Sequence, residues 1–216
     1  YIQKYGGVSK YFVNLSKEIS KYHDARIISP IYLNHYIDEN NSSRNIKFLK
    51  LKKHYKNTRF LFNMINQKFF KHYSNYFKPD LIHLTYYENL LYFKKKSKIV
   101  LTIFDLIHEK FMDKYDFRYK KLSKKNYLEN ADKIICISSS CKKDLQEIYE
   151  VEEDKIDVIH LGVDTNAEYK PVNDDFLKRP YILYVGSRDN YKNFDNFIKA
   201  YSLSEKLFKN FNIVCF

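Results

Sequence analysis

The stretch that decides the fold is "KIICISSSCKKDLQEIYEVEEDKIDVIHL", residues 133–161. It holds two apolar, β-branched runs, at 133–138 and 156–161, on either side of a segment with helical period at 140–151. A strand, a helix and a second strand in this order form the βαβ unit of a parallel sheet. The sequence therefore predicts an α/β fold whose strands are buried on both faces.

The same alternation runs through the chain before this stretch. Apolar runs predict further strands, and segments with a period of 3.6 residues predict further helices. The predicted strands are 25–29, 46–51, 80–85 and 98–104, and the predicted helices are 8–22, 59–77 and 119–131. This series indicates a doubly wound, Rossmann-like parallel sheet.

A polar segment separates this region from a second one of the same kind. Residues 163–180 contain two prolines and little periodicity, so we interpret them as an interdomain linker. A new strand–helix–strand series then begins with "YILYV" at 181–185. We expect a Rossmann-like domain at 1–162 that lacks its first strand, followed after the linker by the truncated start of a second Rossmann-like domain at 181–216.

The charge of the chain favours anionic partners. Its 38 Lys and Arg residues outnumber 26 Asp and Glu residues, which gives a formal net charge of +12. Nucleic acid, an anionic membrane surface and phosphate-bearing small molecules all fit this balance. Compositional drift is the alternative source of the charge, because Lys, Asn, Ile, Tyr and Phe are abundant as in AT-rich coding.

Three cysteines and the hydropathy pattern exclude several classes of protein. No cysteine or histidine spacing matches a disulfide framework or a metal site, so we expect no metal and a reducing, cytoplasmic compartment. No apolar run approaches the length of a membrane-spanning helix.

Candidate catalytic side chains follow the predicted strands, because ligands of open parallel sheets bind beyond the carboxyl ends of the strands. Asp105 and His108 follow the strand at 98–104. A carboxylate can orient a sugar hydroxyl there, and an imidazole can exchange protons near neutral pH; a helix cap and a solvated histidine are the alternatives. Ser138 and Ser139 follow the next strand, where hydroxyls most simply cap a helix and could also contact a ligand.

Candidate anion-binding residues stand before two predicted helices. Gly6 and Gly7 would let backbone amides approach an anion at a helix N-terminus, although an ordinary tight turn is the favoured explanation of the pair taken alone. Arg188 and Lys192 follow Gly186 at the end of a strand. A guanidinium fork and an ammonium group suit a diphosphate, with ordinary surface cations as the alternative.

Four motifs carry a resemblance to a known family. They are "GGVSKYFVNLSKEI" (6–19), "VLTIFDLIHEKF" (100–111), "ADKIICISSSCKKDLQEIYEVEEDKIDVIHLGVD" (131–164) and "YILYVGSRDNYKNFDNFIKAY" (181–201). In this order they resemble the retaining glycosyltransferases of the GT-B fold known as "glycosyl transferases group 1", family four. The resemblance covers nearly the whole chain.

The resemblance implies two Rossmann-like domains that face each other across a cleft, the first for the acceptor and the second for a nucleotide-sugar. It implies that Gly6 and Gly7 lie near the donor phosphates and that Arg188 and Lys192 bind the diphosphate, so that no metal or other cofactor is needed. Many relatives have a histidine at the position of Phe104, so the donor-sugar contact is absent here or comes from another group such as His108. The acidic E-x(7)-E segment of the family would lie beyond Phe216.

These features predict a glycosyltransferase that moves a hexose from a UDP- or GDP-sugar to a saccharide or glycolipid acceptor in surface polysaccharide biosynthesis, with this stretch inactive by itself. One alternative is another Rossmann-type nucleotide-sugar enzyme such as an epimerase, which the lack of a G-x-G-x-x-G after a strand disfavours. A basic nucleic-acid-binding module is the other, and no RNP-like or zinc-finger pattern supports it, so we expect no nucleic-acid partner.

One further partner follows from the segment 59–77, "RFLFNMINQKFFKHYSNYF", in which apolar and basic positions alternate. Such a segment is attracted to anionic lipid, which predicts peripheral contact with the inner face of the membrane. Packing of its apolar face on the sheet, with the lysines in water, is the favoured alternative.

Overall fold

The computed structural model describes residues 4–39, 44–53, 58–85, 97–111, 124–163, 178–188 and 190–216. The described residues form two compact units. The first unit holds those up to Lys110 and from Lys124 to Leu161, and the second unit holds Phe111 and those from Gly162 onward. The predicted linker at 163–180 falls mostly outside the described residues, and the predicted domain boundaries stay predictions.

The first unit alternates helices and strands as the sequence predicts. Its elements are α1 (Gly7–Ile19), β1 (Ile31–Tyr32), α2 (His35–Glu39), β2 (Leu49–Lys50), α3 (Arg59–Phe77), β3 (Leu81–Leu84), β4 (Lys98–Ile103), α4 (Ile107–Lys110), α5 (Lys125–Asn130), β5 (Lys133–Cys136), α6 (Ser139–Tyr149) and β6 (Ile156–Val158). Those of the second unit are β7 (Tyr181–Tyr184), α7 (Phe194–Leu203), α8 (Glu205–Asn210) and β8 (Asn212–Cys215).

The main sheet of the first unit is parallel and runs in the order β3–β4–β5–β6. Leu84 pairs with Leu101 across β3 and β4, and Ile103 pairs with Cys136 across β4 and β5. The largest side chains that this unit buries completely include Leu101, Ile103, Ile134 and Leu145. The predicted α/β fold with parallel strands is thus confirmed, and the buried register fixes which side chains emerge at the carboxyl ends of the strands.

The first two predicted strands are shorter than expected. In place of continuous strands at 25–29 and 46–51, the structure has an isolated bridge and the short parallel pair β1–β2. Pro30 has no N–H to give to a ladder. The N–H of Ile31 donates instead to Oδ1 of Asn66 on α3, at 2.9 Å, and the amide of Asn66 donates back to the Ile31 carbonyl. A helix side chain therefore takes the place of a neighbouring strand.

The second unit begins with the predicted strand and continues with a helix that is broken once. β7 and β8 pair in parallel. Between them the helical segment divides into α7 and α8 at Ser204, which is extended and whose Oγ accepts from the N–H of Leu207 at 3.4 Å. Ser204 thus caps α8, so that a new helix begins after it and α7 does not continue.

Candidate functional site

Asp105 and His108 emerge just beyond the carboxyl end of β4. Asp105 is exposed, and its Oδ1 accepts from the N–H of Ile107 at 3.2 Å, so that it caps the short helix α4. His108 is exposed on α4 itself. The structure therefore brings the two predicted side chains onto one turn at the edge of the sheet where parallel α/β proteins bind ligands.

A buried ion pair lies directly behind this turn. Nζ of Lys124 is 3.0 Å from Oε1 of Glu109, and both side chains are more than nine-tenths buried. Lys124 also donates to the Asp105 carbonyl at 3.0 Å, and the Tyr149 hydroxyl donates to Glu109 at 3.3 Å. Burial, followed by the nearby Glu109, raises the pKa of Tyr149 to about 12, so its hydroxyl keeps the proton that it donates. This network, which joins α4, α6 and Lys124, fixes the turn that carries Asp105.

Phe104, at the position where the family that the sequence resembles often has a histidine, makes an aromatic contact. Phe104 is half-buried, and its ring meets the ring of Tyr11 on α1 edge to face at 5.3 Å. The structure therefore brings the first turns of α1, which begins at Gly7 after the N-cap Gly6, to the carboxyl end of β4. An added Cβ at Gly7 would meet nothing within 4 Å, so its backbone is accessible at the helix start.

Ser138 and Ser139 lie at the start of α6, and their contact with a ligand stays a prediction. The Oγ of Ser138 accepts from the N–H of Cys141 at 3.1 Å as the N-cap of α6, and Ser139 is exposed in the first turn of that helix. His160, which the sequence reasoning did not single out, lies beyond β6 with Nδ1 3.1 Å from the Ile137 carbonyl. Its place just after a strand is the signal that could have found it.

A cavity of about 230 Å³ lies at the start of α7 in the second unit. The residues that line it are Arg188, Asn193, Phe194, Asp195, Asn196 and Lys199. Gly186 has a φ of 139°, a conformation that glycine adopts without strain, and the turn there returns Arg188 to the helix N-terminus. The arrangement places a guanidinium, an ammonium group and the positive end of a helix dipole around one cavity, with the Asp195 carboxylate beside them.

The lysine of this cavity is not the one that the sequence predicts. Lys199 lines the cavity with Arg188, whereas Lys192 lies with Nζ 5.0 Å from the Tyr191 ring centroid and is not among the lining residues. Lys199 stands four residues after Asp195, so helical spacing from the start of α7 could have found it. The role of Lys192 stays a prediction.

The described residues contain neither a cluster of metal ligands nor a membrane-spanning helix. No group of three or more histidine, cysteine, aspartate or glutamate side chains in these ranges could hold a metal ion. No helix of the described part combines the length and the apolar character that crossing a bilayer requires.

The fold is that of the GT-B glycosyltransferases. The structure of WaaG, a glycosyltransferase involved in lipopolysaccharide biosynthesis, matches with a TM-score of 0.61 at 16% identity, over 99% of this chain and 60% of WaaG. A glycosyltransferase from Rickettsia africae matches with a TM-score of 0.49 at 17% identity, over 96% of this chain and 64% of that protein.

The family follows from the sequence match. Residues 5–167 match the model of Glycosyltransferase Family 4, and the chain belongs to that family. An uncharacterized glycosyltransferase of Methanocaldococcus jannaschii, MJ1069, is 26% identical over 159 residues. That match covers 64% of this chain and 40% of MJ1069, so the chain spans less than half of this curated relative. The family predicted from the four motifs is confirmed.

Proposed function

We propose that the protein is part of a retaining, metal-independent glycosyltransferase that moves a hexose from a UDP- or GDP-sugar to a saccharide or glycolipid acceptor of a surface polysaccharide. Membership of Glycosyltransferase Family 4 supports the transfer reaction over the epimerase and nucleic-acid alternatives. One observation carries the choice of donor, namely the cavity at the start of α7 that Arg188 and Lys199 line. Two cations and a helix N-terminus suit the diphosphate of a nucleotide-sugar.

The proposed chemistry assigns a separate role to each unit. In the second unit, Arg188 with Lys199 or Lys192 would stabilise the negative charge that builds on the diphosphate as its bond to the sugar breaks. The acceptor oxygen forms the new bond to the same carbon, and its proton passes to the departing phosphate. In the first unit, the Asp105 carboxylate would orient a sugar hydroxyl, and Gly6 and Gly7 would give the donor phosphates access to backbone amides.

The length of the relatives bears on activity. Because the chain spans 40% of MJ1069 and 60% of WaaG, we expect residues 1–216 by themselves to bind nucleotides weakly and to lack transfer activity.

The free thiols of Cys136, Cys141 and Cys215 support a cytoplasmic setting.

The test is a comparison of arginine variants in a polypeptide of the relatives' length that contains residues 1–216. Arg188→Ala should lower kcat/KM by an amount equivalent to about 2–4 kcal/mol of transition-state stabilisation, the effect of losing one electrostatic donor. Release of UDP or GDP in the presence of a glycolipid acceptor measures the rate. Arg179→Ala is the control, because Arg179 is an exposed arginine of the same unit that does not line the cavity.

The same assay distinguishes the two lysines. Lys199→Ala and Lys192→Ala are compared with each other and with Lys209→Ala on α8. A loss confined to Lys199→Ala assigns the diphosphate to the cavity as it stands, and a loss confined to Lys192→Ala assigns it to the pair predicted from the sequence. Near-normal turnover in Arg188→Ala and both lysine variants would contradict the proposed donor site.

A further inference from the structure

The guanidinium of Arg188, in the second unit, lies over an aromatic ring. Its Cζ is 5.6 Å from the ring centroid of Phe194, within the distance at which a cation is attracted to the face of a ring. Arg188 is exposed, and Phe194 is half-buried. An exposed arginine samples many rotamers in water, so this contact narrows the positions that the guanidinium occupies.

The ring of Phe194 is held in turn by Tyr184, the last residue of β7. The two ring centroids are 4.8 Å apart, and the rings meet edge to face. The Tyr184 hydroxyl also donates at 3.0 Å to the carbonyl of Ser187, the residue directly before Arg188. Tyr184 therefore contacts both the backbone that leads into Arg188 and the ring that lies under its guanidinium.

Packing alone does not account for these contacts. A phenylalanine in place of Tyr184 would cover the face of β7 equally well, whereas the hydroxyl bonds to a carbonyl in an exposed turn. The turn also contains Gly186, whose φ is 139° and whose backbone lacks the restraint of a side chain. A hydrogen bond across the turn therefore limits the motion of the segment that carries Arg188.

A neutral ring suits an arginine that binds an anion. A carboxylate behind the guanidinium would also hold it, but it would add a second negative charge to a cavity that Asp195 already lines. The phenyl ring attracts the cation through the negative face of its π-system. It therefore leaves the charge and the N–H donors of Arg188 available to a phosphate.

We propose that Tyr184 and Phe194 are positioning residues for Arg188 and hold its guanidinium at the cavity at the start of α7. The inference rests on the proposed function, in which Arg188 stabilises the charge that builds on the diphosphate. Both residues act through Arg188, because a donor group stabilises a transition state most when it is already in place.

A double-mutant cycle tests this dependence in a polypeptide of the relatives' length that contains residues 1–216. Phe194→Leu should lower kcat about fivefold with little change in KM, because leucine keeps the apolar bulk and loses the ring face. Tyr184→Phe should lower kcat by about the same factor, the effect of one lost hydrogen bond. In the Arg188→Ala background neither should have a further effect, because no guanidinium is left to position. Release of UDP or GDP with a glycolipid acceptor measures the rates.

Two control variants separate positioning from packing. Phe194→Tyr keeps the aromatic face and should retain the kcat of the unchanged protein. Phe197→Leu removes a ring that contacts Tyr184 and Phe194 but does not line the cavity, and it should also retain kcat. Thermal unfolding checks that each variant is folded. If Phe194→Leu does not fold, Tyr184→Phe decides the question, since it removes a single oxygen atom.

Three results would overturn the inference. The first is a loss of kcat that is equally large in the Arg188→Ala background or in Phe197→Leu, which would assign the effect to the packing of α7. The second is normal turnover of Phe194→Leu and Tyr184→Phe while Arg188→Ala is impaired, in which case the donor site stands without these positioning residues. The third is normal turnover of Arg188→Ala itself, which contradicts the proposed donor site as well. The failure of either proposal is therefore recognised separately.

Discussion

The main sheet of the first unit and the β7–β8 sheet of the second unit have the same parallel pairing and very different burial. β4 pairs with β5 in parallel, as β7 pairs with β8. Leu101 at the centre of β4 is 1% exposed, whereas Leu183 at the centre of β7 is 54% exposed. Among the described residues of the second unit none is buried. Hydrogen-bonded pairing of apolar strands therefore does not by itself form a core.

The difference lies in what covers the faces of the strands. On β7 the Tyr184 ring contacts Phe194 and Phe197 of α7, so one face of the pair is covered. Tyr181 and Leu183, on the opposite face, are exposed. In the first unit helices and loops supply buried partners such as Leu106 and Leu145 to the main sheet. Stability should therefore be concentrated in the first unit, and the following predictions test that contrast.

The largest effect is expected from the buried ion pair of the first unit. Lys124→Met would leave the Glu109 carboxylate buried without its cation, which should lower the free energy of unfolding by about 3–5 kcal/mol. Lys209→Met on α8 of the second unit removes an exposed pair with Glu205 and should cost less than about 0.5 kcal/mol. Urea unfolding followed by circular dichroism measures both. Equal costs would contradict the contrast between the units.

A purely apolar pair of substitutions tests the same contrast without charge. Leu101→Ala should cost about 2–5 kcal/mol, because it removes buried methyl groups and leaves a cavity in the main core. Leu183→Ala on β7 should change the free energy of unfolding by less than about 1 kcal/mol, since its side chain is half exposed. Thermal unfolding of the two variants gives the comparison. A cost for Leu183→Ala as large as that for Leu101→Ala would mean that the exposed face of β7 is covered in solution.

A partly buried histidine should make the stability of the first unit depend on pH. His83 on β3 has its Nε2 2.8 Å from the Thr102 hydroxyl, and burial lowers its pKa to about 4. The unfolded chain binds the proton near pH 6.5, so stability is full above that pH and is lost as the pH falls towards 4. The loss should reach about 2–3 kcal/mol.

The control for this pH dependence is His83→Gln, which keeps a polar group near Thr102 but does not titrate. Unfolding by urea at a series of pH values between 4 and 7 gives the difference between the two proteins, in which the carboxylates they share cancel. As the pH falls, the free energy of unfolding of the protein with His83 should decrease relative to that of His83→Gln. Parallel curves would show that His83 is accessible to protons in the folded state.

The sequence predicted the elements that local pattern determines. α3 occupies the predicted range 59–77, and β4 and β5 begin at the predicted residues, because hydrophobic period is a property of neighbouring positions. β1 could not be placed, because Asn66, far along the chain, takes up the backbone groups of Ile31.

The residues of the candidate site also fall into two groups, those that the local sequence suggests and those that only the fold brings together. Arg188 and Asp105 were singled out as candidates because they come shortly after apolar strands. The pair of Lys124 with Glu109 was missed, because no local pattern links residues 15 positions apart whose side chains meet only in the fold. Lys199 was missed because the prediction considered only the cations that precede α7, although helical spacing from Asp195 places Lys199 one turn further on the same helix.

The smallest predicted effects come from two glycines, Gly7 in the first unit and Gly186 in the second. Substitution by alanine should change the free energy of unfolding in opposite directions at these two positions. Gly7 begins α1 and an added Cβ meets nothing there, so Gly7→Ala should raise the free energy of unfolding by about 0.5 kcal/mol. Gly186 has a φ of 139°, so Gly186→Ala should lower it by about 1 kcal/mol through backbone strain. If phosphate approaches the start of α1, Gly7→Ala should weaken nucleotide-sugar binding in a titration although the protein is more stable. Unchanged affinity together with raised stability would leave Gly6 and Gly7 as an ordinary turn.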